Sequence, residues 1–304
     1  MTYEPIGALP IILLFIGSIL STLIPLGLAI FWTVKKKENF GTIVVGAAAF
    51  FLFAIVIEKA IQNVLLFPTA LGLQDNPVSV FCNARPVLLS FLTGLFPGVF
   101  EETGRLIAYK TVLKKRRNRE TSISYGIGHG GFEAMYLLGS AYSTYFIYGI
   151  MINTGSFGTV VDQALAKDPT QAEAINTLVS AIATFSFADL GIACFERIFA
   201  VLFHIGASII VFYACKDSKK FWLYPLAVAL HTGLDFVSAL SIFGVIELSA
   251  FALELVVAVF GIMAFFGAYL LLYKKDVAEI PADAAIDAPD SPAAPADPAV
   301  ESEN

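Results

Sequence analysis

Ionisable side chains occur inside long apolar stretches of this sequence. A charged group at the centre of a bilayer costs about 2.5–3.5 kcal/mol even on the lenient insertion scale, so such residues are candidates for function. They fall in four segments and include all three histidines of the chain. The candidates are Glu101, Glu102 and Arg105; His129 and Glu133; Glu196, Arg197 and His204; and His231 and Asp235.

The densest of these groups is formed by Glu101, Glu102 and Arg105. Arg105 stands four residues after Glu101 and three after Glu102, so in a helix its guanidinium can hold one carboxylate beside the other. Two adjacent carboxylates that share one cation are expected to differ in protonation, with one ionised and the other nearer neutrality. A general base for water requires such a group. A purely structural role is disfavoured, because three charges within five residues are costly in a membrane.

Two of the histidines have an acidic residue at helical spacing. His231 and Asp235 are four residues apart, as are His129 and Glu133, which suits an imidazole whose tautomer is set by a carboxylate. His204 by itself is equally consistent with a hydrogen bond between helices. Its occurrence with the other ionisable groups favours a functional role.

Other charged residues in these stretches are less informative. Arg197 lies seven residues before His204 on the same helix face, and its neighbour Glu196 makes a structural ion pair as reasonable as a functional one. We assign no role to three further residues, Glu58, Lys59 and Glu254.

The stretches that carry the candidates are apolar enough to cross a membrane. Of the 304 residues, 57% are hydrophobic and 14% are charged, whereas soluble domains have about 45–50% and about 25%. An ordinary soluble domain is therefore excluded. Because a span needs about 20 apolar residues, we predict an all-α polytopic membrane helix bundle with seven transmembrane helices. The predicted spans are residues 8–34, 40–67, 86–113, 122–152, 187–215, 221–243 and 246–273.

Lysine and arginine residues concentrate in alternate loops, and 14 of the 19 lie within positions 35–37, 110–119, 216–220 and 274–275. The positive-inside rule then predicts an N-terminus outside and a C-terminus inside the cytoplasm. At a rise of 1.5 Å per residue, several acids and imidazoles lie about 16–20 Å from the inner edge, and His129 about 10 Å. A shared level predicts one buried polar site. The residues at that level are Glu101, Glu102, Glu133, His204 and His231.

Two segments lie outside the predicted spans. Residues 170–185 begin with Thr170 and Glu173 at capping-box spacing and continue with one apolar face, which predicts an amphipathic helix on the outer surface. Interfacial packing is favoured over a substrate-gating lid. Residues 276–304 hold eight of the 25 acidic residues and no basic one. This composition predicts a disordered cytoplasmic tail, which follows a membrane body formed by residues 1–275. The body, with 17 acidic and 19 basic residues, offers no basic surface for nucleic acid.

Four motifs in this order resemble those of the YhfC family of intramembrane proteases, relatives of the CAAX prenyl endopeptidase and PrsW group. The resemblance covers most of the membrane body. The broader group has three residues between its glutamate pair and the arginine and ends in His-x-x-x-Asn, whereas here two residues separate Glu102 from Arg105 and the last motif ends in Asp235. These departures favour the YhfC branch. The motifs are Glu101-Glu102-x-x-Arg105, Gly128-His129-Gly130-Gly131-x-Glu133, Glu196-Arg197 with His204, and His231-x-x-x-Asp235.

The resemblance implies hydrolysis of a peptide bond in a membrane-embedded or membrane-bound protein or peptide. Either Glu101 or Glu102, with Glu101 favoured, would activate water, and Arg105 would position the other carboxylate. His204 and His231 would bind water or stabilise the oxyanion. Asp235 would orient His231. Three further residues, His129, Glu133 and Arg197, are possible additional members of the site.

The cofactor is left open between two mechanisms. A glutamate-dependent mechanism without a metal is slightly favoured by analogy with the broader group. A zinc site is the other possibility, although the sequence has no His-Glu-x-x-His motif. The candidate ligands of such a site are His129, Glu133, His204 and His231.

We predict that the chain is an integral protein of a bacterial plasma membrane. Functions of other classes also fit this location. A membrane transporter would use mid-membrane acids for a substrate site, but no internal repeat supports it. A haem-binding electron carrier would use histidines on separate spans, although clustered acids are unsuited to it. A non-catalytic immunity or scaffold protein is the third alternative. The substrate and the oligomeric state are not predicted.

Overall fold

A computed structural model describes residues 3–276. Within this range the chain is helical and contains no β-strand. The predicted disordered tail lies outside the described residues except for Asp276. The carboxylate of Asp276 accepts hydrogen bonds from Lys216 (2.7 Å) and from the hydroxyl of Tyr213 (2.8 Å), which attaches this residue to the end of the bundle that carries the basic loops.

The described part of the chain has twelve α-helices and shorter π- and 3₁₀-helical segments. The α-helices are α1, Ala8–Lys36; α2, Phe40–Phe50; α3, Lys59–Leu66; α4, Pro77–Asn83; α5, Pro86–Lys110; α6, Glu120–Ala134; α7, Ser140–Asn153; α8, Phe157–Lys167; α9, Ala172–Thr184; α10, Phe187–Lys216; α11, Leu223–Ile242; and α12, Ala250–Ala268. The π-helical segments are Phe51–Glu58, Met135–Gly139 and Tyr269–Tyr273, and the 3₁₀-helical segments are Pro68–Leu71, Pro169–Gln171 and Ser218–Lys220.

Between residues 3 and 276, five helices are long and apolar enough to cross a membrane, rather than the seven predicted spans. A sixth is counted if α4 and α5, which meet at 117°, are taken as one broken span. The predicted fourth span is helical from Glu120 through Asn153, but its glycine, serine, histidine and glutamate residues make it more polar than the others. The five are Ala8–Lys36, Phe40–Leu66, Phe187–Lys216, Ser218–Ile242 and Ala250–Tyr273.

Helix α10 lies at the centre of the bundle and is buried along its second half. It begins with a capping box, in which the backbone N–H of Ser186 donates to the Asp189 carboxylate (2.9 Å) and the Ser186 hydroxyl accepts from the Asp189 N–H (3.4 Å). The helix then packs against α6 on one side and α12 on the other, while α5 packs along α11 and α2 along α6. These contacts bring α5, α6, α10 and α11 around one interior space.

Glycines allow the closest of these approaches. A Cβ on Gly128 would overlap the carbonyl oxygen of Ile43, so glycine lets the backbones of α6 and α2 touch. On α5, a Cβ on Gly94 would meet the α11 backbone at Asp235 and Phe236. Small residues are the usual means of close helix packing in membranes, where apolar side chains gain little by leaving lipid.

The segment predicted as an outer amphipathic helix forms α9. Its apolar residues pack in a cluster with α1 and α7. The location of α9 at the outer membrane surface stays a prediction. The residues of that apolar face are Ile175, Leu178, Val179, Ile182 and Phe185.

Candidate active site

The acids and imidazoles predicted to share one level meet in the interior of the bundle. They come from α5, α6, α10 and α11. The three histidine rings lie in series: His129 and His204 have centroids 4.9 Å apart and are tilted by 34°, and His204 and His231 have centroids 5.4 Å apart and meet edge to face at 75°. Water is largely excluded from this space. The fully or almost fully buried members are Glu101, Glu102, Arg105, His129, His204 and His231.

The two adjacent glutamates point to different partners. Glu102 Oε1 accepts hydrogen bonds from Arg105 Nη1 and from His231 Nδ1, the latter at 2.8 Å. Glu101 Oε2 instead lies 2.9 Å from His129 Nε2. Arg105 therefore stabilises Glu102 as a charged group, and Glu101 is left without a permanent cation in its first contacts. Such an asymmetry gives two chemically different carboxylates in one site.

The neighbours of His231 determine its tautomer. Its Nδ1 faces the charged Glu102 carboxylate, so the proton lies on Nδ1. In the neutral imidazole Nε2 then carries the lone pair, and this atom lies 3.9 Å from Glu101 Oε2 and 3.4 Å from Asp235 Oδ2. The sequence predicted that Asp235 orients His231; in the structure Glu102 holds the Nδ1 side, and Asp235, about one-third exposed, lies on the Nε2 side.

His204 is held between a cation and an acid. Its Nδ1 lies 2.7 Å from Arg105 Nη2, which can only donate, so Nδ1 accepts and Nε2 carries the proton. That Nε2 contacts the Glu133 carboxylate. Arg105 thus contacts both Glu102 and His204, and links α5 to α10.

A second charged layer lies beside His204. Arg197 Nη1 donates to Glu133 Oε1 at 3.0 Å, and the same guanidinium also contacts the neighbouring Glu196. Neither Arg197 nor Glu196 contacts the acid pair, so both reach the site only through Glu133. This is the position of the residues for which the sequence left structural and functional roles equally open.

Two residues near the site were not predicted to belong to it. Glu58, at the end of the π-helical segment, is almost completely buried beside Lys59 (3.1 Å) and lies close enough to His231 to interact electrostatically. Tyr125, one helical turn before His129, is fully buried and its hydroxyl has no hydrogen-bond partner within residues 3–276. A signal for Glu58 was present, since it is an acid inside an apolar stretch. No sequence signal distinguishes Tyr125 from a packing tyrosine.

The side chains fit a divalent metal ion. Within the described residues, one group of three offers ligand atoms that all lie within 4.8 Å of one another: Glu101, His204 and His231. Two imidazoles and one carboxylate are the protein ligands of many catalytic zinc sites, and the contact from Glu102 to His231 Nδ1 is the usual outer support of a ligating histidine. Because a neutral imidazole has a single ring lone pair, His204 would give up its contact with Arg105 to ligate the ion, either through Nδ1 itself or through Nε2 with the proton moved to Nδ1. Of the four ligands predicted from the sequence, His129 and Glu133 are not in this group.

Comparisons with known proteins identify a family and a relative that match this chain. The sequence model described as YhfC intramembrane metalloprotease matches residues 20–258, which include every site residue above. The protein named "Uncharacterized membrane protein YhfC" from Bacillus subtilis (strain 168) is 27% identical over 270 residues, which cover 88% of this chain and 97% of the relative. No solved structure matches.

Proposed function

The chain belongs to the YhfC intramembrane metalloprotease family, and on this premise we propose that it hydrolyses a peptide bond in a membrane-embedded or membrane-bound protein or peptide. One observation carries the proposal: Glu101, His204 and His231, from three different helices, place a carboxylate oxygen and two ring nitrogens within 4.8 Å of one another in a buried space. Charged and polar groups at such a depth are energetically costly, so their presence favours a functional role.

We further propose that the enzyme is of the metal type, with Glu101, His204 and His231 as ligands. When bound, zinc supplies a Lewis acid that polarises the carbonyl group of the peptide bond. The Glu102 carboxylate orients the imidazole of His231, which it contacts at Nδ1, and Arg105 holds Glu102 in place. Preorganised groups of this kind cost no rearrangement during the reaction.

Hydrolysis also needs a group that takes a proton from water and passes it to the departing amine nitrogen. We assign this to Asp235, the most exposed acid around His231, which lies 3.4 Å from Nε2 of that residue. Glu102 and Glu133 are less suited, because each already has an arginine on one carboxylate oxygen. In the glutamate type of mechanism, Glu101 Oε2 would take the proton instead.

The proposed topology is the seven-span bundle with the basic loops in the cytoplasm of a bacterial cell. It rests on the distribution of lysine and arginine residues, and the Bacillus relative makes a bacterial plasma membrane the natural location. In this orientation the site lies within the bilayer, where the lipid and the substrate share one medium.

The test compares new protein N-termini in the membranes of cells that produce the wild-type protein or Glu101→Gln, with the exposed Glu247→Gln as the control. Loss of specific N-termini in the Glu101 variant alone is expected, with a rate at least about 10²-fold lower. Identical N-termini in all three strains would contradict the proteolytic function.

Metal analysis of the purified proteins tests the catalytic type. We expect about one zinc per wild-type chain and almost none after His204→Ala or His231→Ala. His129→Ala should keep zinc with a weaker affinity, because His129 is outside the ligand group but contacts Glu101. Cleavage that persists in protein from which all metal has been removed would establish the glutamate type, with the proteolytic function intact.

A further inference from the structure

A long groove runs along the bundle between α1, α6, α10 and the segment from α12 to Tyr273, outside the charged site. We call it the lateral groove. Its volume is about 570 Å³, and its α1 wall extends from Leu20 to Lys36. At 1.5 Å per residue this wall is about 24 Å long, comparable with an extended acyl chain of a membrane lipid.

The lining of the lateral groove is almost entirely hydrocarbon. Two of its polar groups, the Ser21 hydroxyl and the Trp32 indole N–H, already donate to the Ser18 carbonyl (3.0 Å) and the Ser124 hydroxyl (3.0 Å). An extended peptide inside a bilayer needs partners for each N–H and C=O group, and this lining does not provide them. A hydrocarbon chain needs none, so the lining suits an acyl chain.

The charges at the two ends of the lateral groove are different. At one end, Arg197 is neutralised by Glu133 and Glu196. At the other end stand Lys36 and Arg119. Arg119 is already paired with Glu120 (3.2 Å) and donates to the backbone carbonyls of Tyr273 and Asp276. Lys36 makes no ion pair with residues 3–276, and its ammonium group lies 5.4 Å above the Trp32 ring, which lines the groove.

We propose that the lateral groove binds one anionic phospholipid, with an acyl chain along α1 and the phosphate at Lys36, beside Arg119. Basic positions between membrane helices at the cytoplasmic side attract anionic headgroups, and the basic loops share this end of the bundle. The apolar wall and the terminal cations together match both parts of the lipid. This proposal does not depend on the proposed protease activity.

The test is native mass spectrometry of the purified full-length protein in detergent, with palmitoyl-oleoyl phosphatidylglycerol and the corresponding phosphatidylcholine as probes. We expect one retained phosphatidylglycerol and an affinity roughly tenfold higher than for phosphatidylcholine. Lys36→Glu should remove most of this preference. Lys35→Glu, at an exposed neighbouring position outside the groove, should change it less than about twofold.

A second pair of variants tests the apolar wall. Ile24 and Leu23 are 58% and 56% exposed on α1, but only Ile24 lines the groove. Ile24→Trp should weaken binding of both lipids, and Leu23→Trp should leave it unchanged. The proposal would be overturned if the wild type bound the two lipids with equal affinity, or if the two variants of either pair had equal effects. It would also be overturned if the purified protein retained a bound peptide that phosphatidylglycerol does not displace.

Discussion

The helix pair α6 and α10 has a charged side and an apolar side. On α6, His129 and Glu133 face the buried site, whereas Ile127 and Gly131 line the lateral groove. Both sets alternate within a few residues because a helix turns about 100° per residue. The charged side contacts protein from every direction, while the groove is open.

The same division continues on α10. His204 contacts Arg105 and Glu133, while Val201 and Ile205, three residues before it and one after it, line the groove. Arg197 belongs to both sides, since it pairs with Glu133 and also lines the groove. Depth in the membrane therefore does not by itself decide polarity, because charges occur where other protein groups can pair with them.

The largest effect is expected when the charged side loses its shared cation. Arg105→Leu leaves Glu102 buried with no guanidinium, and removal of one partner of a buried pair costs about 3–5 kcal/mol. We expect a large fall in the free energy of unfolding in detergent. The double variant Arg105→Leu with Glu102→Leu should recover part of the loss, because no uncompensated charge remains. Equal stability of the wild type and Arg105→Leu would contradict a buried ion pair.

A smaller effect is expected when the backbone contact that supports the charged side is disturbed. Gly128→Ala introduces a Cβ that overlaps the Ile43 carbonyl, whereas Gly27→Ala on α1 meets nothing within 4 Å. Overpacking costs about 1–3 kcal/mol, so Gly128→Ala should lower the melting temperature and Gly27→Ala should not. Thermal unfolding of both variants in the same detergent measures this, and equal shifts would show that α2 and α6 are not in contact.

The smallest effect is expected at the residue shared by the two sides. Arg197→Gln removes the ion pairs to Glu133 and Glu196 and keeps hydrogen-bonding capacity. Because Arg197 contacts the site only through Glu133, we expect the rate of cleavage to fall by about one order of magnitude. The loss of unfolding free energy should be smaller than that of Arg105→Leu. Arg85→Gln, whose guanidinium stacks on Phe81, is the control. A complete loss of cleavage would instead place Arg197 in direct contact with the substrate.

Helix positions were largely predictable from the chain itself. Residues 187–215 were predicted as one span, and α10 covers Phe187–Lys216, because a long, largely apolar segment of this length is typical of a membrane-spanning helix. Counting from the basic loops also placed Glu101, Glu133, His204 and His231 near one level. Span number was less predictable, since the helix through His129 and Glu133 is too polar to resemble a typical span.

Partner choice within the site was not predictable. Spacing on one helix favoured Asp235 as the partner that orients His231, but a residue from another helix, Glu102, holds its Nδ1. The metal group likewise includes Glu101 in place of His129 and Glu133. The lateral groove had no signal in the sequence, because its walls come from helices that are distant along the chain.

Hydrophobicity and helical rise are local properties of the chain, so they were enough to predict a helical membrane protein and the ionisable residues that lie deep within it. The pairing of each carboxylate with an imidazole, and the place where the helices separate to form a groove, became visible in the folded molecule alone. These outcomes depend on the rotation of each helix about its axis and on the glycines that allow close approach. Both are set by contacts between distant segments.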